Sequence, residues 1–420
     1  MGKILVLYYH KVCDVERDWN GLAVSPKTFR KQLEYIKENY QVLRADDDWK
    51  DCAKDSIIIT FDDGYEDNYV NALPILEEVG IPATFFVSTE KLDTDEEMWC
   101  NELVWLIFEG NHFEKKFIMP ITSFQFELTT DTLYQRVELY RILRAILPSI
   151  PHKNREEIMK ELRAWGYANE RKKRNTHKMM TSEELRCLAA SDCAVIGAHT
   201  ISHPSLGGLS YDEQFKEIQG SKNKLEEIIK KKITLFSYPF GGEMDYSDET
   251  ISILKELGFE KAMTTESICM NGMPIDPYKI PRMCMGECDM QTFVQNLEDS
   301  FGLYRESNVA WSRYPVAYVG KMEGDKDLWG ENVNIVIWGA GGKCEEILNK
   351  LEKWNLLSHV KCIYDTSKNR IGSLLRGIRI LNIEDHMKME NEVFIVAITQ
   401  IGKALEQIQK YGLRDMHYYV

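Results

Sequence analysis

Ser56-Ile57-Ile58-Ile59-Thr60-Phe61-Asp62-Asp63-Gly64 sets the architecture expected for the N-terminal part of the chain. Six residues suited to a buried strand run straight into two adjacent carboxylates and a glycine. Like charges side by side raise one another's pKa, so the pair is costly as pure structure. A cation neutralising one of them would remove the conflict. In a β/α barrel the C-terminal end of a strand is where reacting groups sit. An Asp-Asp-Gly turn used only for capping is the other reading of the same residues.

Ile4–Tyr9 and Ala83–Val87 are further β-branched or aromatic runs. Between strands lie helical patterns, such as Phe29, Leu33 and Ile36 behind Ser25-Pro26, an N-cap followed by proline at the first helical position. Alternation of this kind predicts parallel strands joined by crossover helices. Residues 93–180 are rich in Glu, Lys and Arg, with helical spacing in Leu103, Leu106, Ile107 and in Leu139, Ile142, Leu143, Ile146. They read as a helical insertion, and the basic run 171–174 as a solvated connector. From Thr181 the β/α texture returns. Thr181/Glu184 and Ser210/Glu213 form capping boxes, and strands are expected at Ala194–Gly197, Ile233–Tyr238, Phe259–Thr264 and Lys279–Met283.

Three more segments carry chemistry-bearing residues at strand ends. His199-Thr200-Ile201-Ser202-His203-Pro204 places two imidazoles four residues apart, a spacing that lets both reach one metal. One carboxylate and two histidines leave coordination positions open for water, as in hydrolytic sites. Phe236-Ser237-Tyr238-Pro239-Phe240-Gly241-Gly242 forces an exposed turn whose N–H groups can face a developing oxyanion. Tyr8-Tyr9-His10 ends the first strand, and a histidine there can act as a general acid near neutral pH.

Together these segments resemble the polysaccharide deacetylase (NodB-homology) family of metal-dependent carbohydrate esterases. The matching segments are Thr60–Gly64, His199–Pro204, Tyr238-Pro239-Phe240-Gly241 and the Pro82–Val87 strand. The resemblance covers roughly residues 1–300, interrupted by the insertion. It implies an α/β fold, a distorted (β/α) barrel of about seven strands. It implies Asp62 as general base, Asp63, His199 and His203 as metal ligands, and the Phe240 N–H as an oxyanion donor. The family has an arginine two residues before the Pro239 position, where this chain has Ser237; Arg282 is the candidate replacement. The late histidine motif is also missing. A permuted branch carries that histidine in an N-terminal Tyr-His-x-Val, which Tyr9-His10-Lys11-Val12 matches, so His10 is the expected general acid. The implied cofactor is a divalent metal, zinc first, with cobalt, nickel or manganese as alternatives. The implied reaction is removal of N-acetyl groups from a sugar or glycan precursor in surface-polysaccharide assembly. O-deacetylation or deformylation at the same site is an alternative.

A second organisation begins near the C-terminus. The expected boundaries are a barrel at 1–305, a connector at 306–332 and a Rossmann-like domain at 333–420. There Asn334–Trp338 runs into Gly339-Ala340-Gly341, and a second strand, Val360–Tyr364, ends at Asp365. This resembles a dinucleotide-binding half, with Gly339 and Gly341 for the turn and Asp365 for a ribose. Cys344 stands at the third glycine position. A bound nucleotide, and an oxidoreductase centred here, remain open alternatives, as does a silent carbohydrate-binding protein.

Composition limits the rest. The chain has 420 residues, 44% of them apolar, enough for more than one core. Its formal charge of −14 argues against coating nucleic acid or anionic lipid. No apolar run approaches a membrane span. Ten cysteines without a repeated spacing, and no export signal, predict reduced thiols and a cytoplasmic location. Oligomeric state is left open.

Overall fold

The computed structural model describes residues 2–302 except 17, 50–51, 53, 111–112, 122–123, 167–173, 267–269 and 271–275. It then describes 334–340, 342–353, 355–365, 367, 369–382, 392–396 and 418–419. Most of residues 1–313 form one unit and most of 314–420 a second. The expected connector, 306–332, lies outside the described residues.

The first unit is built on strands β1 (Ile4–Tyr9), β2 (Gln41–Leu43), β3 (Ser56–Phe61) and β4 (Ala83–Val87). A hairpin follows, β5 (Lys116–Ile121) with β6 (Phe124–Thr129), then β7 (Ala194–Ala198), β8 (Leu235–Ser237), β9 (Lys261–Met263) and β10 (Met283–Cys284). Its helices are α1 (Pro26–Asn39), α2 (Leu73–Val79), α3 (Trp99–Val104), α4 (Leu133–Ile146), α5 (His152–Trp165), α6 (Ser182–Ala190), α7 (Tyr211–Ile229), α8 (Asp248–Glu256) and α9 (Met290–Gly302). The main sheet runs β9-β8-β7-β4-β3-β1-β10 and is wholly parallel, with β2 pairing the first half of β3. Segment Ile280–Cys284 draws its two ends together. Ile280 bridges Met263 of β9, while Met283 and Cys284 pair with Leu7 and Tyr8 of β1.

Strand alternation divides the core into two layers. Leu5, Leu7 and Tyr9, with Ile57, Ile59 and Phe61, pack outward under the helices. Val6, Ile58, Phe86, Leu235, Met263 and Ile280 pack inside the curled sheet. Both faces are therefore covered, which is why β3 reads as a continuous apolar run. Each fully buried isoleucine contributes about 1.5–3 kcal/mol. The helix starts follow their caps. Ser25 Oγ accepts from Thr28 N–H, and both expected capping boxes form.

The helical expectation for 93–180 is corrected at its middle. Here β5 and β6 pair antiparallel from Lys116–Thr129 to Ile121–Phe124. Alternation in Phe124, Phe126 and Leu128 was the available signal, and the charged flanks obscured it.

The second unit adds β11 (Asn334–Trp338), β12 (Val360–Asp365), β13 (Leu374–Leu375), β14 (Ile378–Asn382), β15 (Glu392–Val396), β16 (Tyr418–Tyr419) and α10 (Gly342–Lys353). Its sheet order is β13-β14-β12-β11-β15-β16, parallel except for the β13–β14 pair. It has its own core, including Ile335, Ile337, Leu348 and Ile363.

Candidate active site

The same alternation aims the reactive side chains. Counting by twos from the inward-facing core, Val6 leads to Tyr8, Ile58 to Thr60 and Asp62, Leu235 to Ser237, and Ile280 to Arg282. These residues meet at the C-terminal ends of the strands, where the apolar filling of the sheet stops.

Arg282 is fully buried and forks onto Asp62, with Nη1 2.8 Å from Oδ1 and Nη2 2.6 Å from Oδ2. Its remaining donors are used as well. Nη1 reaches Thr60 Oγ1 at 3.1 Å, Nη2 reaches Ser237 Oγ at 2.7 Å, and Nε reaches the Thr264 carbonyl at 3.0 Å. Burial alone would raise the pKa of Asp62, but the charge and hydrogen bonds of Arg282, together with the nearby His199 and His10, outweigh it and hold the carboxyl below its usual value. Asp62 is thus an ionised acid held in one orientation. Arg282 reaches it from a different strand end than Ser237, the position where the sequence lacks an arginine.

Asp63 turns the other way because its backbone is left-handed, at φ 79°. Gly64 follows at φ 89°, with Val87 Cγ1 2.7 Å from where a Cβ would sit. Thr200, His203 and Phe240 also have positive φ, at 65°, 54° and 62°. Such conformations cost about 1–3 kcal/mol each and collect at functional turns. They bring Asp63 Oδ1 to 3.5 Å from His199 Nε2 and 3.3 Å from His203 Nε2. One ligand atom from each of the three lies within 4.8 Å of the others. His199 Nδ1 is 2.7 Å from the Ser237 carbonyl, which can only accept, so Nδ1 carries the proton and the Nε2 lone pair faces Asp63. Asp63 Oδ1 is buried without a hydrogen-bond partner. Burial pushes its pKa up, yet the two imidazoles hold it well below the usual carboxylate range. This donor set, two imidazole nitrogens and one carboxylate oxygen, fits a divalent cation such as zinc.

Phe240 closes one side. Its ring lies edge-on to His203 with centroids 4.9 Å apart, and among the described residues its N–H donates to no other group. His10 follows β1, anchored by its carbonyl to Asn68 Nδ2 at 2.7 Å, with Nδ1 buried and without a partner. Burial lowers its pKa, while the nearby Asp63 and Asp62 charges push it upward.

The family model described as polysaccharide deacetylase matches residues 50–112 and 159–262. The chain carries a polysaccharide deacetylase domain. The matched residues of the deacetylase domain include Asp62, Asp63, His199, His203 and Phe240, while His10 and Arg282 fall outside them. YxkH of Bacillus subtilis (strain 168), a provisionally named polysaccharide deacetylase, is 25% identical over 275 residues, covering 63% of this chain and 65% of its own length. The chain therefore matches slightly less than two thirds of that relative. Among solved structures, BC0361, a polysaccharide deacetylase from Bacillus cereus, is 20% identical with a TM-score of 0.45, covering 71% of this chain and 69% of that one. IcaB from Ammonifex degensii is 18% identical with a TM-score of 0.44, covering 70% and 96%.

Several residues supporting the deacetylase domain's site have no motif to announce them. Glu217 of α7 accepts from the N–H groups of Ile201 at 2.9 Å and Ser202 at 2.8 Å, bracing the turn between the two histidines. Fully buried Arg155 of α5 bonds the Ser202 carbonyl at 2.8 Å, and Trp99 Nε1 reaches the His203 carbonyl at 3.3 Å. Both come from the inserted zone. Only their apolar or charged character was visible in sequence, because their partners are distant along the chain.

The second unit is outside the family match. Gly339 has φ 106° and donates to the Tyr364 carbonyl at 2.7 Å. Asp365, at the end of β12, uses both oxygens within the unit. It accepts from Ala340 N–H at 2.8 Å and Ser367 N–H at 2.7 Å, with Arg370 Nη1 at 3.3 Å. Gly341 lies outside the described residues. No helix among the described residues is long and apolar enough to cross a membrane.

Proposed function

We propose that this protein is a metal-dependent hydrolase that removes N-acetyl groups from a sugar or glycan precursor, acting in the cytoplasm in surface-polysaccharide assembly. The observation that carries this reading is the buried, unpartnered Asp63 Oδ1 facing two imidazole nitrogens beside an acid kept ionised by Arg282. A divalent cation, zinc by preference, held by Asp63, His199 and His203 would polarise the acyl carbonyl and activate a water.

The chain's own groups do the rest. Asp62, charged and fixed by Arg282, accepts the proton of the attacking water as the new C–O bond forms. The Phe240 N–H donates to the acyl oxygen as negative charge gathers there. His10 protonates the departing amine nitrogen as the C–N bond breaks, since an unprotonated amine is a poor leaving group. Ser237 holds His199 in the required tautomer. The nine described cysteines are all free thiols, which supports the cytoplasmic assignment. The second unit is proposed as a separate Rossmann-like domain. The engaged carboxylate of Asp365 favours a structural part there over nucleotide binding.

Acetate release across N-acetylated sugars, nucleotide-sugars and lipid-linked sugars, with and without chelator, tests the reading. O-acetylated and N-formylated sugars in the same panel separate the alternative acyl groups. Asp62→Asn is expected to abolish turnover while zinc still binds, and His199→Ala to lose both. Normal turnover by Asp62→Asn would overturn the assignment of the base.

A further inference from the structure

The inserted zone carries arginines of two kinds. Arg163 is paired with Glu102 and Glu156, and Arg174 with Glu97 and Glu109. Arg144, on the last turn of α4, has no carboxylate within ion-pair distance among the described residues, although the chain has 66 acidic residues against 52 basic ones. It is half-buried, and its guanidinium lies over the Phe240 ring, 4.9 Å from the centroid. Phe240 in turn packs against His203, a member of the candidate metal cluster. The Tyr140 hydroxyl, one helical turn earlier, takes one of its hydrogen bonds. Asp245 also feels the Arg144 charge. Its oxygens are already engaged, Oδ1 by Ser205 Oγ at 2.8 Å and Oδ2 by Gly242 N–H at 2.9 Å. A guanidinium has five donors in a planar fork, more than Tyr140 uses, and such a fork suits a planar or tetrahedral anion.

We propose that Arg144 is a specificity-determining residue that binds an anionic group, phosphate or carboxylate, on the acylated sugar. This rests on the deacetylase reading and narrows it to sugars bearing a negative charge near the acyl group. Three features support it. The cation stands beside the residue assigned to the acyl oxygen. Among the described residues no carboxylate lies within ion-pair distance of it. It comes from the insertion, which the family model does not match at residues 113–158. The neighbouring guanidinium of Arg155, wholly buried and lying over Trp99 at 5.1 Å, is a positioning group instead, because it cannot reach solvent.

The test uses the full chain loaded with zinc and three probes: methyl N-acetylglucosaminide, N-acetylglucosamine 1-phosphate and N-acetylmuramic acid. Binding is measured by calorimetry on Asp62→Asn, and acetate release on otherwise native protein, each with Arg144 and with Arg144→Gln. The expected result is at least tenfold tighter binding of one or both charged probes than of the neutral one. That preference should disappear in Arg144→Gln, with the neutral probe unchanged. The phosphate and carboxylate probes tell the two anions apart. Equal binding of charged and neutral probes, or a preference that survives Arg144→Gln, overturns the proposal. A charged-probe preference with no acetate released from any substrate would sink the deacetylase reading and leave the anion site standing. Arg144→Lys, which keeps the charge but not the fork, is expected to restore part of the preference and guards against a folding artefact.

Discussion

The Arg282–Asp62 pair is the point most sensitive to substitution at the scale of single residues. Two buried charges are tolerable only because every donor of the guanidinium is used, on Asp62, Thr60, Ser237 and Thr264. Removing one partner strands the other charge. Arg282→Ala is therefore expected to destabilise the first unit by about 3–5 kcal/mol, read by urea denaturation. Arg282→Lys should fold better but lose the two-pronged grip, and acetate release should fall at least tenfold. A native rate in Arg282→Lys would show that orientation of Asp62 does not matter. The carboxylate pair and the two histidines were legible as a motif because short-range spacing carries them. Arg282 was only a candidate by position in Lys279-Ile280-Pro281-Arg282, since its partner is 220 residues away.

Strand parity does the arranging at the scale of elements. Gly197 faces inward on β7, and a Cβ there would lie 2.4 Å from Phe86 Cδ1 and 3.1 Å from the Leu235 carbonyl. Gly197→Ala is expected to cost about 1–3 kcal/mol through overpacking, measurable as a lower thermal midpoint. Phe86→Leu in the same chain should recover part of that loss by making room. The turn between His199 and His203 depends on Glu217 in α7, three strand-helix steps from the carboxylates. Glu217→Ala leaves two N–H groups without their acceptor and should weaken zinc binding about tenfold or more, by competition with a chelating dye. Unchanged zinc affinity would mean the turn is rigid by itself. Helices α1, α6 and α7 were readable from caps and apolar spacing. The β5–β6 hairpin was not, because its alternation is short and it lies among helix-favouring charged residues.

For the whole molecule, the two units have separate cores, so two unfolding transitions are expected in calorimetry. Zinc at a hundredfold excess over its dissociation constant should raise the stability of the first unit by about 2.7 kcal/mol and leave the second where it is. His199→Ala should cancel that shift, and a zinc-induced shift of the second transition instead would place the metal elsewhere. Local pattern alone determined the β/α alternation, the existence of an inserted zone, the change of texture near residue 333, and the four segments that carry reactive side chains. Those are properties of a few consecutive residues: strand period, cap chemistry and the cost of adjacent like charges. Tertiary structure decided which arginine grips Asp62, which way Asp63 turns, and that the insertion braces the His203 turn and presents Arg144 beside Phe240. These depend on closure of the sheet through Ile280–Cys284 and on contacts between residues scores to hundreds of positions apart, and no local periodicity encodes such distances.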